Sequence, residues 1–223
     1  MNLYDYKHII WDWNGTLFND VYLCSDIMNH LLEKRSLPVL TIDKYRDIFT
    51  FPVKDYYIKA GHDFTDESFE KIGKEFMDEY EVRKYECNLY PFTLKVLEKF
   101  KSNNINQYLL SAYKQESLLH IIKKYGIAEY FSEVYGLDHI YANGKLELGR
   151  KLMRRIRTNG KDEKVLLIGD TVHDFEVAEE IESDCLLITE GHQEGKKLKE
   201  LGTNIVENIE ELYRELLEMR MAK

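Results

Sequence analysis

His8-Ile9-Ile10-Trp11-Asp12-Trp13-Asn14-Gly15-Thr16-Leu17 opens with an apolar run, ends it on an aspartate and turns at once through Asn14-Gly15. An apolar run without polar alternation is what a strand needs when both its faces are buried, as in a parallel sheet covered by helices. The pattern returns in Tyr108-Leu109-Leu110, running into Ser111, and more weakly in Val134-Tyr135. It returns again in Val165 to Ile168, ending at Gly169-Asp170, then in Cys185 to Ile188 and Ile205-Val206. Helical spacing fills the intervals. Pro91 precedes Leu94, Leu97 and Phe100, and Gln115 to Tyr125 carries Leu118, Leu119 and Ile122 and stops at Gly126. Leu148, Leu152, Met153 and Ile156 form a stripe, as do Phe175, Ala178 and Ile181, and Asn208-x-x-Glu211 reads as a capping box before Leu212, Leu216 and Leu217. Strand–helix alternation of this kind predicts an α/β fold with a doubly wound, Rossmann-like parallel sheet.

From Leu17 to about Glu86 only helix signals are present: Val21, Cys24, Met28 and Leu31 share a face, and Phe69, Ile72, Phe76 and Tyr80 follow a Thr65 N-cap. Such a stretch is too long for a loop and predicts a small all-helical cap domain inserted after the first strand. The expected division is a core of residues 1–16 and 87–223 and a cap of 17–86.

Composition narrows the function classes. The chain has 223 residues with 31 basic and 40 acidic side chains, a formal charge of −9, with 44% hydrophobic and 32% charged residues. That balance excludes a disordered chain and argues against nucleic-acid or membrane-surface binding, which call for a basic patch. No apolar run is long enough to span a bilayer, and Met1 to His8 is too polar for a secretory signal. Cys24, Cys87 and Cys185 read as free thiols in a reducing cytoplasm.

Ligands of an open parallel sheet sit beyond the carboxyl ends of its strands, and Asp12, Ser111 and Asp170 all end strands. Lys145 lies in the polar turn Asn143-Gly144-Lys145, and Asp174 follows Asp170 on the first turn of the next helix. Taken alone, Asp12 is a strand-end cap and Ser111 a helix N-cap; together, these groups predict clustered carboxylates that need a cation. Oxygen-only ligation suits Mg²⁺, which binds few carboxylates and keeps waters and phosphate oxygens.

Asp12-Trp13-Asn14-Gly15-Thr16-Leu17 resembles the first motif of the haloacid dehalogenase-like superfamily, Asp-x-Asp-Gly-Thr; Ser111 resembles the second and Lys145 the third, with Leu146 where proline is common. Gly169-Asp170-Thr171-Val172-His173-Asp174 resembles the fourth motif, and the helical insertion matches the superfamily's small cap, nearest to the phosphoglycolate phosphatase-like branch. The resemblance implies a phosphatase acting on a small phosphate ester, with Asp12 attacking phosphorus to form an aspartyl-phosphate that water hydrolyses. It further implies Mg²⁺ held by Asp12, the Asn14 carbonyl and Asp170 with Asp174 in support. Thr16, Ser111 with its neighbour Ala112, and Lys145 would hold the phosphoryl oxygens, and Lys54 would contact substrate from the cap.

Asn14 departs from the pattern, standing where the family's second aspartate is general acid and base. Such help is worth ~10²–10⁴-fold and matters most for alkoxide leaving groups, least for acyl phosphates and activated esters. The expectation is therefore weak or selective turnover, and Asn14→Asp is expected to favour poor leaving groups. His62 or Lys54 would be alternative proton donors, and deamidation at Asn14-Gly15 an alternative source of aspartate. Two further readings stand beside the phosphatase: a catalytically silent phosphate- or Mg²⁺-binding protein, and a carbon–phosphorus hydrolase using Lys54 as a Schiff base. A receiver-like domain does not fit the cap insertion, and a dehalogenase has no use for Asp170 and Asp174. His173 is expected to face solvent or cap its helix. Of Trp11 and Trp13, one is expected in the core and the other at the cap interface. Lys196-Lys197 reads as a solvated face.

Overall fold

A computed structural model describes residues 1–137, 144–159 and 162–221. Six strands form one parallel sheet: β1 (His8–Trp11), β4 (Asn106–Lys114), β5 (Glu133–Leu137), β6 (Val165–Gly169), β7 (Asp184–Ile188) and β8 (Asn204–Val206), in the order β5-β4-β1-β6-β7-β8. All these neighbours pair in parallel. Their apolar runs are continuous because both faces are covered: Ile9 and Trp11 of β1 point into one hydrophobic layer and Ile10 into the other. The first layer is closed by α5 (Thr93–Ser102), α6 (Gln115–Lys124) and α10 (Ile209–Met221), the second by α7 (Lys145–Asn159), α8 (Val172–Glu180) and α9 (Gly195–Lys199). No helix among the described residues is long and apolar enough to cross a membrane.

Four helices occupy the insertion: α1 (Val21–Glu33), α2 (Ile42–Ile48), α3 (Val53–Ala60) and α4 (Phe69–Arg83). The reading of this stretch as helix alone is corrected by an antiparallel ribbon of β2 (Phe18–Asn19) and β3 (Asn88–Leu89), which sets the outgoing and returning chain side by side. Trp13 stacks on Phe18 at 5.0 Å, so the loop after β1 and the ribbon form one buried unit. Both tryptophans are fully buried, Trp11 in the sheet core and Trp13 against the ribbon that leads into the insertion. The N-cap of α4 is Ser68, whose hydroxyl accepts from Lys71 N; Thr65 is engaged by Asp63 instead. Ser111 lies inside β4 and caps no helix, its Oγ accepting from Tyr113 N at 3.1 Å. Leu94, Leu119 and Leu217 face solvent beside the stripes they seemed to extend. Asn143 lies outside the described residues.

The helices of the insertion are bonded to the loop after β7. Arg46 of α2 donates to the carbonyls of Gly191 (3.1 Å) and Glu190 (2.8 Å), and Gln193 donates to that of Phe49 (2.9 Å). Lys197, expected on a solvated face, donates to the carboxylate and carbonyl of Asp47.

Gln107, 1% exposed, anchors β1 from behind: its Oε1 accepts from Trp11 Nε1 (3.1 Å) and its Nε2 donates to the Leu97 carbonyl (2.9 Å). Gln107→Leu strands both partners, and a loss of about 1–3 kcal/mol is expected in urea denaturation. Unchanged stability would show that this buried pair carries no weight.

Candidate active site

β1, β6 and the start of α7 bring together the residues that the sequence singled out. Asp12 follows β1, Asp170 follows β6, Asp174 sits in the first turn of α8, and Lys145 begins α7. The Lys145 ammonium donates to Asp12 Oδ1 and, at 2.5 Å, to Asp174 Oδ1. All four side chains are buried. Asp174 is fixed three times more, since its Oδ2 accepts from the Thr171 hydroxyl (2.6 Å) and backbone N–H (3.0 Å) in a capping box and from the Asp170 N–H (3.2 Å). Asp170 accepts from Thr16 Oγ1 (3.0 Å) and from His192 N (2.6 Å).

Burial pushes the Asp12 and Asp170 carboxyls up, with neighbouring carboxylates adding to the rise; Lys145 opposes it at Asp12 and His192 at Asp170. Burial works against the charge on Lys145 as well, but Asp12 and Asp174 outweigh it and hold the ammonium above its ordinary value. One oxygen each of Asp12, Asp170 and Asp174 lies within 4.8 Å of the others, a hard-oxygen donor set of the kind that takes a divalent cation. Glycines make the room: a Cβ at Gly191 would stand 2.2 Å from Asp170 Oδ2, and one at Gly15, whose φ is +73°, 2.3 Å from the same atom.

The Thr16 hydroxyl, expected on the phosphoryl oxygens, donates to Asp170 in this structure. The cavity over Asp12, about 480 Å³, is lined by Asp12, Asn14, Ser111, Ala112, Lys145, Asp170 and Asp174 on the sheet side. Lys54 stands at its rim, with its ammonium 5.4 Å from the centre of the Phe64 ring and the residue exposed. His62 does not line the cavity; it is buried in the insertion beside Tyr57, so it is no proton donor to this site. His173, expected toward solvent, stacks on Phe51 at 4.7 Å and lines the cavity.

Asn14 belongs to a polar cluster that sequence reading did not find. Its amide donates to Asp20 Oδ2 (2.6 Å) and to the Tyr80 hydroxyl (2.7 Å), and that hydroxyl donates to the same Asp20 oxygen (2.8 Å). Asp20 Oδ1 accepts from Gly15 N (3.1 Å) and meets His192 Nε2 (3.2 Å), whose Nδ1 meets the Tyr45 hydroxyl (2.8 Å). Burial opposes the charge on Asp20, but His192, Asn14 and Tyr80 outweigh it and hold this carboxyl below its ordinary value. Asp20 stands at the N-cap of α1, yet its side chain makes no cap bond and turns back to Asn14. The strand-end rule points to His192, just past β7, whereas nothing local marks Asp20.

Residues 9–188 match the family model of haloacid dehalogenase-like hydrolases, and the chain belongs to that family. No curated protein matches it. Among solved structures it is similar to a haloacid dehalogenase-like hydrolase from Streptococcus pneumoniae, at 19% identity and TM-score 0.77, over 93% of this chain and 97% of that one. It is also similar to a Clostridium acetobutylicum protein named as a predicted phosphatase (18%, TM-score 0.76, 96% and 99% covered). A third is a Lactobacillus plantarum protein provisionally named phosphoglycolate phosphatase (16%, TM-score 0.76, 94% and 99% covered). At these identities the likeness is one of fold, a Rossmann-like core with a helical cap.

The Asn14 cluster alters the expectation for Asn14→Asp. A carboxylate there would lie against Asp20, a like-charge contact costing about 4 kcal/mol near 4 Å in a protein environment. Asn14→Asp alone is expected to lower Tm without a gain in turnover, and Asn14→Asp combined with Asp20→Asn to recover most of the loss. Thermal unfolding of the two variants checks this; equal Tm values would separate Asn14 from Asp20.

Proposed function

We propose that this chain is a Mg²⁺-dependent phosphatase that hydrolyses a small phosphate monoester through an aspartyl-phosphate on Asp12. A core of residues 1–16 and 87–223 would carry the chemistry, and a cap of 17–86 would cover it. The observation that supports this most is the convergence of Asp12, Asp170, Asp174 and Lys145, from separate segments, in one buried pocket. Asp12, Asp170 and the Asn14 carbonyl would hold the metal, with Asp174 in support. The bound ion would supply positive charge toward the phosphoryl oxygens.

The rest is work for this chain's own residues. Asp12 attacks phosphorus, and the bond from phosphorus to the alcohol oxygen breaks with its electron pair leaving on that oxygen. Lys145 keeps Asp12 oriented and offsets charge on the transferring group, with Ser111 and the Ala112 backbone beside it. Asp174 holds Lys145 in place, and Thr16 holds Asp170. Water then opens the aspartyl-phosphate and restores Asp12. Asn14 can orient but cannot move a proton, so the leaving oxygen takes its proton from solvent.

Asp12→Asn is expected to abolish phosphate release from acetyl phosphate and aryl phosphates, and chelation of Mg²⁺ to do the same reversibly. Lys145→Met is expected to lower kcat by about 10²–10³-fold. Release that survives Asp12→Asn or chelation overturns the mechanism. The silent-binder reading is favoured by one observation, the engagement of Asn14 with Asp20 and Tyr80; Mg²⁺ binding by calorimetry without release from any ester would establish it. Lys54, out over Phe64, gives the carbon–phosphorus reading no support.

A further inference from the structure

The insertion's contribution to the cavity lining is largely aromatic, with Phe51, Tyr57, Phe69, Phe76 and Tyr80 joined by Met77. Its charged groups are already engaged or lie at the edge. Lys145 is held by Asp12 and Asp174, His192 by Asp20, and Lys114 by Glu116. Lys54 and Glu70 are exposed at the rim, and His173 is stacked on Phe51. Among the described lining residues, no buried unpaired cation waits for a carboxylate on the leaving group. A cavity of about 480 Å³ also falls within the range of pockets that enclose drug-sized ligands, well beyond what a two-carbon acid fills.

The second observation is independent and chemical. Asn14 has no proton to give, and its amide is bonded to Asp20 and Tyr80. A leaving group gets no proton from position 14, so one that is stable as an anion departs most readily. A phenol's conjugate base suits that departure, since phenols titrate near 10, as tyrosine does. An aliphatic alkoxide is closer to hydroxide, whose parent water titrates at about 15.7.

Building on the phosphatase reading, we infer that the substrate is a small aromatic phosphate monoester, its ring held among Phe51, Phe69 and Phe76 and its phosphoryl group on Asp12. In the first half-reaction the Asp12 carboxylate forms a bond to phosphorus while the P–O(aryl) bond breaks, the electron pair leaving as phenolate. In the second, water attacks the acyl phosphate, giving inorganic phosphate and free Asp12, and the phenolate collects a proton from water. One water is consumed and nothing is oxidised or reduced.

The test compares isosteres with Mg²⁺ present: phenyl against cyclohexyl phosphate, with 1-naphthyl phosphate, 2-phosphoglycolate and acetyl phosphate in the same series. Phenyl phosphate is expected to exceed cyclohexyl phosphate and phosphoglycolate in kcat/KM by at least about tenfold, as the lack of acid catalysis requires. Naphthyl phosphate is expected to have a lower KM than phenyl phosphate. Phe76→Ala should lower kcat/KM for the naphthyl ester about tenfold and Phe76→Leu by less, each checked for native circular dichroism. Cyclohexyl phosphate or phosphoglycolate within tenfold of phenyl phosphate, or a naphthyl KM no lower than that of phenyl, overturns the substrate class. If acetyl phosphate is still cleaved through Asp12 in that case, the phosphatase reading stands and the aromatic assignment alone falls. No release from any ester, acetyl phosphate included, removes both.

Discussion

One ammonium placed between two buried carboxylates organises this molecule. Lys145 reaches Asp12 and Asp174 from the start of α7, and without it three carboxylates would face one another away from water. Burying such charges unpaired costs several kcal/mol per ion, so the surroundings must supply donors for each of them. They do so by type: an ammonium for Asp12, a capping hydroxyl and peptide N–H for Asp174, a hydroxyl and the His192 N–H for Asp170. Even so, one ammonium against three carboxylates leaves the pocket short of positive charge. That shortage is the physical reason for expecting a divalent cation there.

The same accounting explains Asn14. A fourth carboxylate at that position would be added to a pocket already short of cations. Instead the negative charge lies six residues downstream, on Asp20, and the Asn14 amide donates to it. Asp20 gathers donors from Gly15, Tyr80 and His192 as well, and is fully buried. An amide at position 14 is thus matched by a buried carboxylate, Asp20, that fixes the loop following Asp12. The loop gains definition from these bonds, and an amide at position 14 has no acidic proton to transfer.

Much of this was legible in the amino-acid order because burial on two faces writes itself as unbroken apolar runs. Strands such as Val165 to Gly169 carry that mark over their whole length. Their ends then locate Asp12 and Asp170 without further information. The ribbon of Phe18–Asn19 and Asn88–Leu89 is too short for any periodicity, and its partners are far apart in sequence. Thr65 and Ser68 are equally good caps by residue type, and only the competition of Asp63 for the Thr65 hydroxyl decides between them. Asp20 looks like an ordinary helix cap until Tyr80 and His192, 60 and 172 residues away, are folded against it. Contacts of such separation leave no local trace.

His192 ties these features to the cap. Its backbone N–H holds Asp170, its ring meets both Asp20 and Tyr45 of α2, and the residues around it are bonded to Arg46 and Phe49. A separation of α2 from the sheet must either break these bonds or carry residues 190–194 along. The second course withdraws a buried donor from Asp170, leaving its carboxylate to be satisfied by solvent or by a cation. The loop after β7 is thus the physical connection between α2 and the carboxylate cluster. In that second course solvent would enter from above as the donor leaves from the side, because one residue supplies both contacts.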